Sequence, residues 1–532
     1  MSPDDAGPTH FRPATYAASD GARPAVVTAA GRVVTFAQLE ERSSRLAQAL
    51  FARGLRQGDH VAVLLPNDDR THEVAFALQR SGLYYTMVNT HLAADEAAYI
   101  VVDCGAHTLI TSASLAPLAA ELVARTPDVD LRLMIGTTPG EPAPADHTSY
   151  DEFVAGAPAE PLADEVEGSA MLYSSGTTGH PKGIRRPLTQ QPFGSDVVLS
   201  GMLGGIMGFA PGDVYLSPAP LYHSAPLVWS MTAQRMGGTV VVMERFDPEQ
   251  CLALIEQHRV THAQFVPTMF VRMLKLPAEV RAKYDLSSLR SVVHAAAPCA
   301  PEVKRRMIEW WGPVIHEYYS GTEGMGMTWI TAAEALTHPG SVGKAIWGEV
   351  HICDDDGNDV PTGDDGVVYF AARAGAATFQ YNHDAEKTRQ TFNDKGWATL
   401  WDVGHVDDEG YLYLTDRKLF MIVSGGVNIY PQEIEDVLVL HPAVADVAVF
   451  GIPDPEMGEE VKAVVQPAPG GDPAPGPELE QEIIAFCRAN LSHYKCPRTV
   501  DFTDELPRGE NGKLYKKGLR EAYWASSSPT TS

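Results

Sequence analysis

The sequence predicts a mixed α/β protein built from more than one domain. Its 532 residues exceed the length that a single hydrophobic core usually supports. Stretches with apolar residues at helical spacing alternate with short apolar runs of the length of buried strands. A content of 44% hydrophobic and 20% charged residues is typical of a globular chain. This alternation favours layers of helices on a largely parallel sheet.

The first half of the chain supplies most of the alternation. Phe36, Leu39, Leu46 and Leu50 recur at the spacing of one helix face. Strands are indicated where short apolar runs follow breaks such as Gly58. On this basis the sequence predicts helices at 35–53, 71–81 and 248–258, and strands at 60–65, 84–88, 240–243 and 263–266.

The strongest candidate for a domain boundary lies near Asp416. A strand is predicted just before it, at 410–415, where a region rich in turns ends. The dense Pro and Gly of 466–480 predict a surface loop rather than an interdomain linker. The remaining predicted elements are a helix, a strand and a last amphipathic helix, at 431–440, 444–450 and 478–491.

The charge balance argues against broad nucleic-acid binding. The chain has 41 basic and 68 acidic residues, a net charge of -27, which would repel a phosphate backbone. Its six cysteines include no CxxC pair, so neither a zinc site nor a disulfide framework is indicated. The polar start and the lack of an apolar run near the roughly 20 residues of a membrane span predict a cytoplasmic protein.

A loop of small hydroxylated residues and glycines follows the apolar residues 170–172. Residues 173–183 are Tyr-Ser-Ser-Gly-Thr-Thr-Gly-His-Pro-Lys-Gly, in which the glycines let backbone N–H groups approach an anion. Because Lys182 is followed by Gly183, the pattern is not GxxxxGK[ST], which disfavours a Walker-type NTPase. The candidate polyphosphate ligands are Ser174, Ser175, Gly176, Thr177, Thr178, Gly179 and Lys182.

This loop resembles the signature loop of the adenylate-forming superfamily, which contains acyl-CoA synthetases, amino-acid-adenylating domains and beetle luciferases. Further motifs continue the resemblance through most of the chain, in the family's order. It implies a large N-terminal domain of layered α/β subdomains with a β-barrel-like part, and a small mobile α+β C-terminal domain. The implied division is 1–415 for the first domain, 416–419 for a hinge and 420–532 for the second.

Residues 317–323, Glu-Tyr-Tyr-Ser-Gly-Thr-Glu, resemble the family's second nucleotide motif. The resemblance implies that Tyr319 stacks on adenine, that Thr322 bonds the α-phosphate and that Glu323 coordinates Mg²⁺. An aromatic face suits a purine, and a hard cation prefers carboxylate oxygen. Glu317 and Tyr318 belong to the same motif. The small-residue segment 294–298 resembles the lining of the adenine and acyl sites, which adds Ala296, Ala297 and Pro298.

Three further motifs occupy the last quarter of the chain. Asp402 matches the carboxylate that holds the ribose hydroxyls, although Leu400 and Trp401 depart from the usual Thr-Gly-Asp, and Arg417 matches a second ribose contact. Lys513 matches the lysine that approaches the reacting carboxylate, where a fixed cation stabilises developing charge. The loop at Gly425 and Gly426 resembles the border of the pantetheine channel.

The resemblance implies two half-reactions that use ATP, Mg²⁺ and CoA. A carboxylate first attacks the α-phosphate of ATP, giving acyl-AMP and pyrophosphate. The CoA thiol then attacks the acyl carbon and expels AMP. Catalysis depends on positioning of the reactants and on charge stabilisation, and no side-chain nucleophile is needed. Rotation at the hinge would withdraw Lys513 and bring up the Gly425-Gly426 loop.

The acid is expected to be a simple carboxylic acid with an apolar or bulky acyl group. His223 resembles the gate of the acyl pocket, and residues 222–227 lack the aspartate that amino-acid-activating relatives place nearby. Residues 201–208 alternate glycine with Met, Leu and Ile, which suits either a wide apolar pocket or a close-packed helix.

Two rival functions remain open at this point. The family commonly has a polar residue at the hinge position of Leu419, so an enzyme that passes acyl-AMP to a carrier protein or partner enzyme is the first alternative. A catalytically inactive nucleotide-binding or scaffolding protein is the second. Retention of all the motif residues with Lys513 argues against it.

Overall fold

The structure, a computed structural model, consists of two compact units that are each formed from separate stretches of the chain. The first unit comprises Met1–Gln264, Pro277–Val292 and Ala377–Arg389, and the second comprises Phe265–Leu276, Val293–Ala376 and Gln390–Ser532. The residues that the structure describes are 11–138, 143–144, 146–174, 181–195, 198–372, 379–417, 420–424, 427–471, 473–508 and 514–527.

The helices among these residues carry the labels α1 to α17 in chain order. They are α1 Pro13–Asp20, α2 Phe36–Arg53, α3 Thr71–Arg80, α4 Ala94–Asp103, α5 Ala116–Arg125, α6 Tyr150–Ala155, α7 Val198–Gly201, α8 Ser224–Arg235, α9 Pro248–His258, α10 Pro267–Leu274, α11 Ala278–Arg281, α12 Pro301–Trp311, α13 Ala332–Thr337, α14 Ala385–Gln390, α15 Pro431–Leu438, α16 Pro477–Asn490 and α17 Lys516–Ser527.

The strands carry the labels β1 to β27. They are β1 Pro24–Thr28, β2 Val33–Thr35, β3 His60–Leu64, β4 Tyr84–Met87, β5 Thr108–Ser112, β6 Leu131–Ile135, β7 Thr148–Ser149, β8 Ser169–Ala170, β9 Leu172–Ser174, β10 Lys182–Arg185, β11 Val214–Ser217, β12 Thr239–Val242, β13 His262–Phe265, β14 Ser291–His294, β15 Ile315–Ser320, β16 Met327–Ile330, β17 Ser341–Trp347, β18 Glu349–Cys353, β19 Gly366–Ala371, β20 Gln380–Tyr381, β21 Ala398–Val406, β22 Leu412–Arg417, β23 Ile422–Ser424, β24 Val427–Ile429, β25 Val444–Asp454, β26 Gly458–Pro467 and β27 Thr499–Phe502.

The first unit contains a six-stranded parallel sheet in the order β7-β6-β5-β3-β4-β8. Parallel neighbours require crossover connections, and α3, α4 and α5 supply them between successive strands. A second run of strands in this unit has the order β13-β11-β12-β1-β2, parallel except for the β1–β2 pair. A three-stranded antiparallel sheet, β20-β10-β9, completes the unit.

The second unit is largely antiparallel. Its longer run of strands has the order β18-β19-β21-β22-β17-β16-β15, with antiparallel pairing throughout. Its C-terminal part has the order β24-β23-β26-β25, with β27 parallel to β26. The helices α15 and α16 pack on that sheet around Ile434, Leu438 and Ile483, all fully buried.

The structure confirms the predicted fold class and most of the predicted elements. The helix α9 has the predicted bounds because Asp247 caps it by accepting a hydrogen bond from the Gln250 N–H, and Pro248 occupies its first position. The predicted loop at 466–480 was too long, since β26 runs to Pro467 and α16 begins at Pro477. Within the described residues no helix is long and apolar enough to cross a bilayer.

Candidate functional site

The candidate phosphate loop joins two antiparallel strands of the first unit. Ser174, the last residue of β9, lies opposite Lys182, the first residue of β10. The loop therefore returns into a strand, whereas a Walker loop runs into a helix. Within the loop, Ser175, Gly176, Thr177, Thr178 and Gly179 lie outside the described residues.

Close packing at the base of this hairpin explains why glycine follows the lysine. A Cβ atom built on Gly183 would lie 2.6 Å from the Met171 methyl carbon and 2.9 Å from the Tyr173 ring. The Tyr173 hydroxyl in turn donates a 2.5 Å hydrogen bond to Asp103. The side-chain amide of Asn382 donates to the Asp103 carbonyl oxygen over 2.6 Å. These contacts fix the position from which Lys182 projects.

Lys182 keeps its charge near an aromatic ring of the same three-stranded sheet. Its ammonium lies 5.6 Å from the ring centroid of Tyr381, which is part of β20. That distance is within the range of a cation–π attraction. The Lys182 side chain thus lies at the start of β10, next to the candidate phosphate loop.

His223 occupies the residue before α8, at the end of a loop that a buried asparagine holds. The Asn67 side-chain amide donates to the carbonyl oxygens of Ala219 and Met243, at 3.0 and 2.9 Å, and its oxygen accepts from the Leu221 N–H at 2.7 Å. Asn67 follows the carboxyl end of β3, the side on which open α/β sheets bind ligands. The prediction from sequence missed this residue, although its place just after a buried strand was a usable signal.

In the second unit, β15 brings Tyr319 to Asp402. The Tyr319 hydroxyl donates a 2.6 Å hydrogen bond to the Asp402 carboxylate, whose residue is 8% exposed. Because side chains alternate along a strand, the neighbouring Tyr318 points away from Tyr319, and it is 7% exposed. Tyr319 rather than Tyr318 is therefore the tyrosine beside the candidate ribose ligand. Arg417 lies opposite Asp402 in the register of β21 with β22.

Glu317 precedes Tyr319 by two residues and forms a buried ion pair. Its carboxylate bonds the Lys304 ammonium of α12, and both residues are 4% exposed. Burial raises the pKa of Glu317, and the Lys304 charge opposes that rise. His294 lies 3.8 Å from the second carboxylate oxygen, and burial holds the pKa of its imidazole well below the usual range. The pair anchors the strand that carries Tyr319.

Thr322 and Glu323 follow β15 in a tight turn. Glu323 is 8% exposed. A Cβ atom on Gly321 would lie 2.8 Å from both a Glu323 carboxylate oxygen and a Leu400 methyl group. The turn therefore packs directly against the residues that precede Asp402, and the two nucleotide motifs of this unit lie side by side.

The small-residue segment 294–298 leaves β14 with an unusual backbone. Ala296 has a φ of +76°, in the left-handed region that favours glycine. Ala296 and Pro298 are exposed and Ala297 is half-buried, so the segment presents small side chains at the surface of the protein. Residues held in such conformations concentrate at functional sites.

Three predicted site residues of the C-terminal part are Gly425, Gly426 and Lys513, and they lie outside the described residues. Among the residues that are described, no group of three or more His, Cys, Asp or Glu side chains could hold a metal ion. Glu323 is a single buried carboxylate, which suits Mg²⁺ because that ion takes one or two protein carboxylates and completes its shell with phosphate and water.

The sequence matches two family descriptions in the order in which the motifs occur. Residues 14–378 match the AMP-binding enzyme family, and residues 433–513 match the AMP-binding enzyme C-terminal domain. The chain belongs to the AMP-binding enzyme family. The adenylate-forming superfamily expected from the motifs is thereby confirmed.

Several ligases and synthases are similar to this chain along nearly its full length. A fatty acid–[acyl-carrier-protein] ligase, ScoC of Streptomyces coeruleorubidus, is 32% identical over 96% of this chain and 96% of its own. The long-chain-fatty-acid–CoA ligase FadD13 of Mycobacterium tuberculosis is 33% identical over 93% and 94%. A feruloyl-CoA synthase of Amycolatopsis sp is 32% identical, again over 93% and 94%.

Two solved structures share the fold of this chain. The anthranilate CoA ligase AuaEII in complex with anthranoyl-AMP superimposes with a TM-score of 0.83, at 27% identity and 99% coverage of both chains. The amide bond synthetase McbA of Marinactinospora thermotolerans gives a TM-score of 0.77 at 29% identity, over 94% of this chain and 97% of its own.

Proposed function

We propose that the protein activates a carboxylic acid with ATP and transfers the acyl group to CoA. The observation that carries this proposal is the Tyr319–Asp402 pair beside the Thr322-Glu323 turn, in a chain of the AMP-binding family. The hydroxyl of Tyr319 donates to one carboxylate oxygen of Asp402, and a carboxylate is an acceptor-only group of the kind that suits ribose hydroxyls. Similarity to CoA ligases of fatty and aromatic acids supports the thioester product.

The nucleotide roles follow from residue chemistry and from family membership. Residues 174–179 and Lys182 bind the β- and γ-phosphates, since several N–H and hydroxyl donors suit several phosphate oxygens. The Tyr319 ring faces the adenine, with Glu317, Tyr318 and residues 296–298 forming its surroundings. Asp402 and Arg417 hold the ribose. Mg²⁺ neutralises phosphate charge when bound, and Glu323 is its protein ligand.

The two half-reactions place different demands on the chain. In the first, the substrate carboxylate attacks the α-phosphorus and the bond to pyrophosphate breaks, while Thr322 and Lys513 stabilise the charge on the reacting oxygens. In the second, the CoA thiolate attacks the acyl carbon and AMP leaves with the electron pair. The glycine loop at Gly425 and Gly426 borders the pantetheine arm. The segment 420–532 rotates about the hinge 416–419. This rotation replaces the arrangement with Lys513 at the reacting carboxylate by the arrangement with the Gly425-Gly426 loop at the pantetheine arm.

The acid is apolar or bulky and lacks an α-ammonium group. His223 lies against the Tyr222 ring, with 4.6 Å between centroids, and residues 222–227 contain no carboxylate that could hold an ammonium. The glycine-rich segment 201–208 begins with a π-helical turn at Met202–Ile206, a form frequent at functional sites. Its Ile206 is 45% exposed, which supports an apolar lining for the acyl group.

The test is a product analysis with ATP, MgCl₂ and a panel of aliphatic, aromatic and polycyclic acids, with and without CoA. The proposal predicts acid-dependent pyrophosphate release, and equal amounts of AMP and acyl-CoA when CoA is added. Lys513→Ala should abolish the acid-dependent release, while Lys517→Ala, whose ammonium pairs with Glu521 at 3.6 Å on α17, should not. Absence of pyrophosphate release with every acid would refute the adenylation step.

A second candidate is transfer of the acyl group to a carrier protein, which the similarity to ScoC favours. The same assay separates the two. Pyrophosphate release with acid, without thioester formation from CoA, together with acylation of a holo-carrier protein, would establish the second function in place of the first.

A further inference from the structure

A single asparagine, Asn382, links the strand that carries Lys182 to the end of a helix. Its side-chain amide donates to the Asp103 carbonyl oxygen over 2.6 Å and to the Asp103 carboxylate over 3.3 Å. Its backbone N–H donates to the Gly183 carbonyl oxygen over 2.7 Å. Asp103 is the last residue of α4, and Gly183 directly follows Lys182 in β10. All four residues belong to the first unit, so these contacts lie within one compact body.

Asp103 also holds the strand on the other side of the candidate phosphate loop. The Tyr173 hydroxyl donates to its carboxylate over 2.5 Å, and burial raises the pKa of Tyr173, which keeps this hydroxyl protonated. Tyr173 lies directly opposite Gly183 in the register of β9 with β10. The residues before and after the loop are thus bonded at one place. We refer to Asp103 and Asn382 as the loop clamp.

Helix stability does not account for an acidic residue at the position of Asp103. The carboxyl end of α4 carries the negative pole of the helix dipole, where a cation is favourable and a carboxylate is not. The carboxylate instead accepts hydrogen bonds from two neutral donors, the Tyr173 hydroxyl and the Asn382 amide. These bonds to other segments are what an acid at this position contributes.

The residue before Asn382 places an aromatic ring beside the lysine. Tyr381 is 9% exposed, and its N–H donates to the Thr388 hydroxyl oxygen over 2.9 Å. The Lys182 ammonium lies 5.6 Å from the centroid of its ring. Tyr381 also lies opposite Ile184 in the register of β20 with β10. A shift of Asn382 would therefore move both the strand that carries Lys182 and the ring beside its ammonium.

We propose that Asn382 is a positioning residue for the triphosphate of ATP, and that it acts by holding Lys182 through its bonds to Asp103 and Gly183. The inference rests on the proposed function, in which Lys182 binds the β- and γ-phosphates. In this role Asn382 contacts neither the nucleotide nor the reacting atoms. Because AMP lacks the β- and γ-phosphates, the loop clamp affects the binding of ATP and leaves the binding of AMP unchanged.

Calorimetry with the full chain measures the binding of ATP with MgCl₂, and separately the binding of AMP, with no acid present. Asn382→Ala removes the side-chain amide and keeps the backbone N–H. Asn382→Asp keeps the size of the side chain but turns a carboxylate towards that of Asp103. Both variants should weaken ATP binding about 10-fold, since one hydrogen bond contributes about that factor to the equilibrium that it stabilises. Their AMP affinity should equal that of the parent.

The matched control is Asn490→Ala, because the Asn490 amide likewise donates to a backbone carbonyl oxygen, that of Phe486 in α16, over 2.8 Å. This control should bind ATP as tightly as the parent. Tyr173→Phe tests the other bond of the loop clamp by removing a single hydroxyl, and it should also weaken ATP binding. The double variant Tyr173→Phe/Asn382→Ala should lose less than the product of the two single losses, since both bonds depend on Asp103.

The outcomes separate the loop clamp from the function on which it rests. Unchanged ATP affinity in Asn382→Ala and Asn382→Asp would overturn the positioning role and leave adenylation standing. Equal weakening of ATP and AMP binding would also overturn it, because a general loss of structure affects both nucleotides. Should Asn382→Ala fail to fold, an unchanged ATP affinity in Tyr173→Phe decides against the loop clamp. A parent protein that binds no ATP and releases no pyrophosphate with any acid would remove the proposed function as well.

Discussion

Replacing Lys304 by methionine should expose the contribution of the buried ion pair beneath Tyr319. The variant Lys304→Met keeps a long unbranched side chain on α12 but removes the cation that faces Glu317. Both residues are 4% exposed, so water cannot replace the lost partner. Leaving one charge of a buried pair without its partner costs about 3–5 kcal/mol. Domains have net stabilities of about 5–15 kcal/mol, so the loss is a large fraction of the total.

The pH dependence of the variant has a definite sign. Burial raises the pKa of Glu317, and Lys304 is the group that opposes the rise. Without Lys304 the folded-state pKa of this carboxyl moves further above its unfolded value. A raised carboxyl pKa stabilises the fold at low pH, and that stability is lost as pH increases above the unfolded value. Lys304→Met should therefore be closest to the parent at pH 5 and furthest from it at pH 8.

The assay is urea unfolding followed by tryptophan emission at both pH values, with melting temperatures from calorimetry. The double variant Lys304→Met/Glu317→Leu is the control, because replacing a whole buried pair by apolar residues is often neutral or stabilising. It should recover about 3 kcal/mol relative to the single variant at pH 8. A single variant within about 0.5 kcal/mol of the parent, or a double variant that recovers nothing, would refute the anchoring role of the pair.

Three further outcomes are expected. Asn67→Ala removes the side chain that bonds the carbonyl groups of Ala219 and Met243 and the N–H of Leu221. It should lower the free energy of unfolding by about 2–4 kcal/mol and raise the KM for the acid more than the KM for ATP. Equal increases in the two KM values would contradict a local role. Gly343→Ala should fold poorly, because Gly343 has a φ of +91° and an added Cβ would collide with the Trp329 backbone. The control is Gly363→Ala, where φ is +89° but the added Cβ meets open space. This control should remain soluble, and urea unfolding should show a free energy of unfolding only about 1–2 kcal/mol lower than that of the parent. Burial raises the pKa of Asp436 to about 7, so this carboxyl contributes a loss of stability as pH rises from 4 to 7. Thermal melts at pH 5 and pH 8 should show a more favourable change for Asp436→Asn than for the parent, and an identical change in both would exclude this contribution.

Local patterns predicted the elements of this fold because the determinants are themselves local. Asp247 and Pro248 define the start of α9, and Thr35 forms a capping box with Gln38 at the start of α2. The pairing of β21 with β19 joins residues about 30 to 40 positions apart, such as Tyr369 with Thr399, and the periodicity of one strand does not determine that register. The sequence therefore predicted the strand at 410–415, which is β22 Leu412–Arg417, but neither β21 nor its bulge at 400–402.

The candidate site divides in the same way. Motif residues such as Tyr319 and Asp402 could be named from sequence, but their hydrogen bond joins positions 83 residues apart. Glu317 lies on β15, whereas its partner Lys304 lies on α12, and nothing near Lys304 in sequence indicates a functional role. Trp401 has a φ of +65°, whereas its residue type predicts a negative φ, since bulky side chains avoid the left-handed region.

The apolar core of the C-terminal sheet has a practical use. All of its members, from Ile422 to Phe502, come from one uninterrupted stretch of the polypeptide. A gene cut near codon 420 would thus leave that core intact in one fragment. Separate expression of the two fragments, followed by mixing, would allow either to be isotope-labelled or exchanged with that of a relative, giving a split enzyme for segmental spectroscopy.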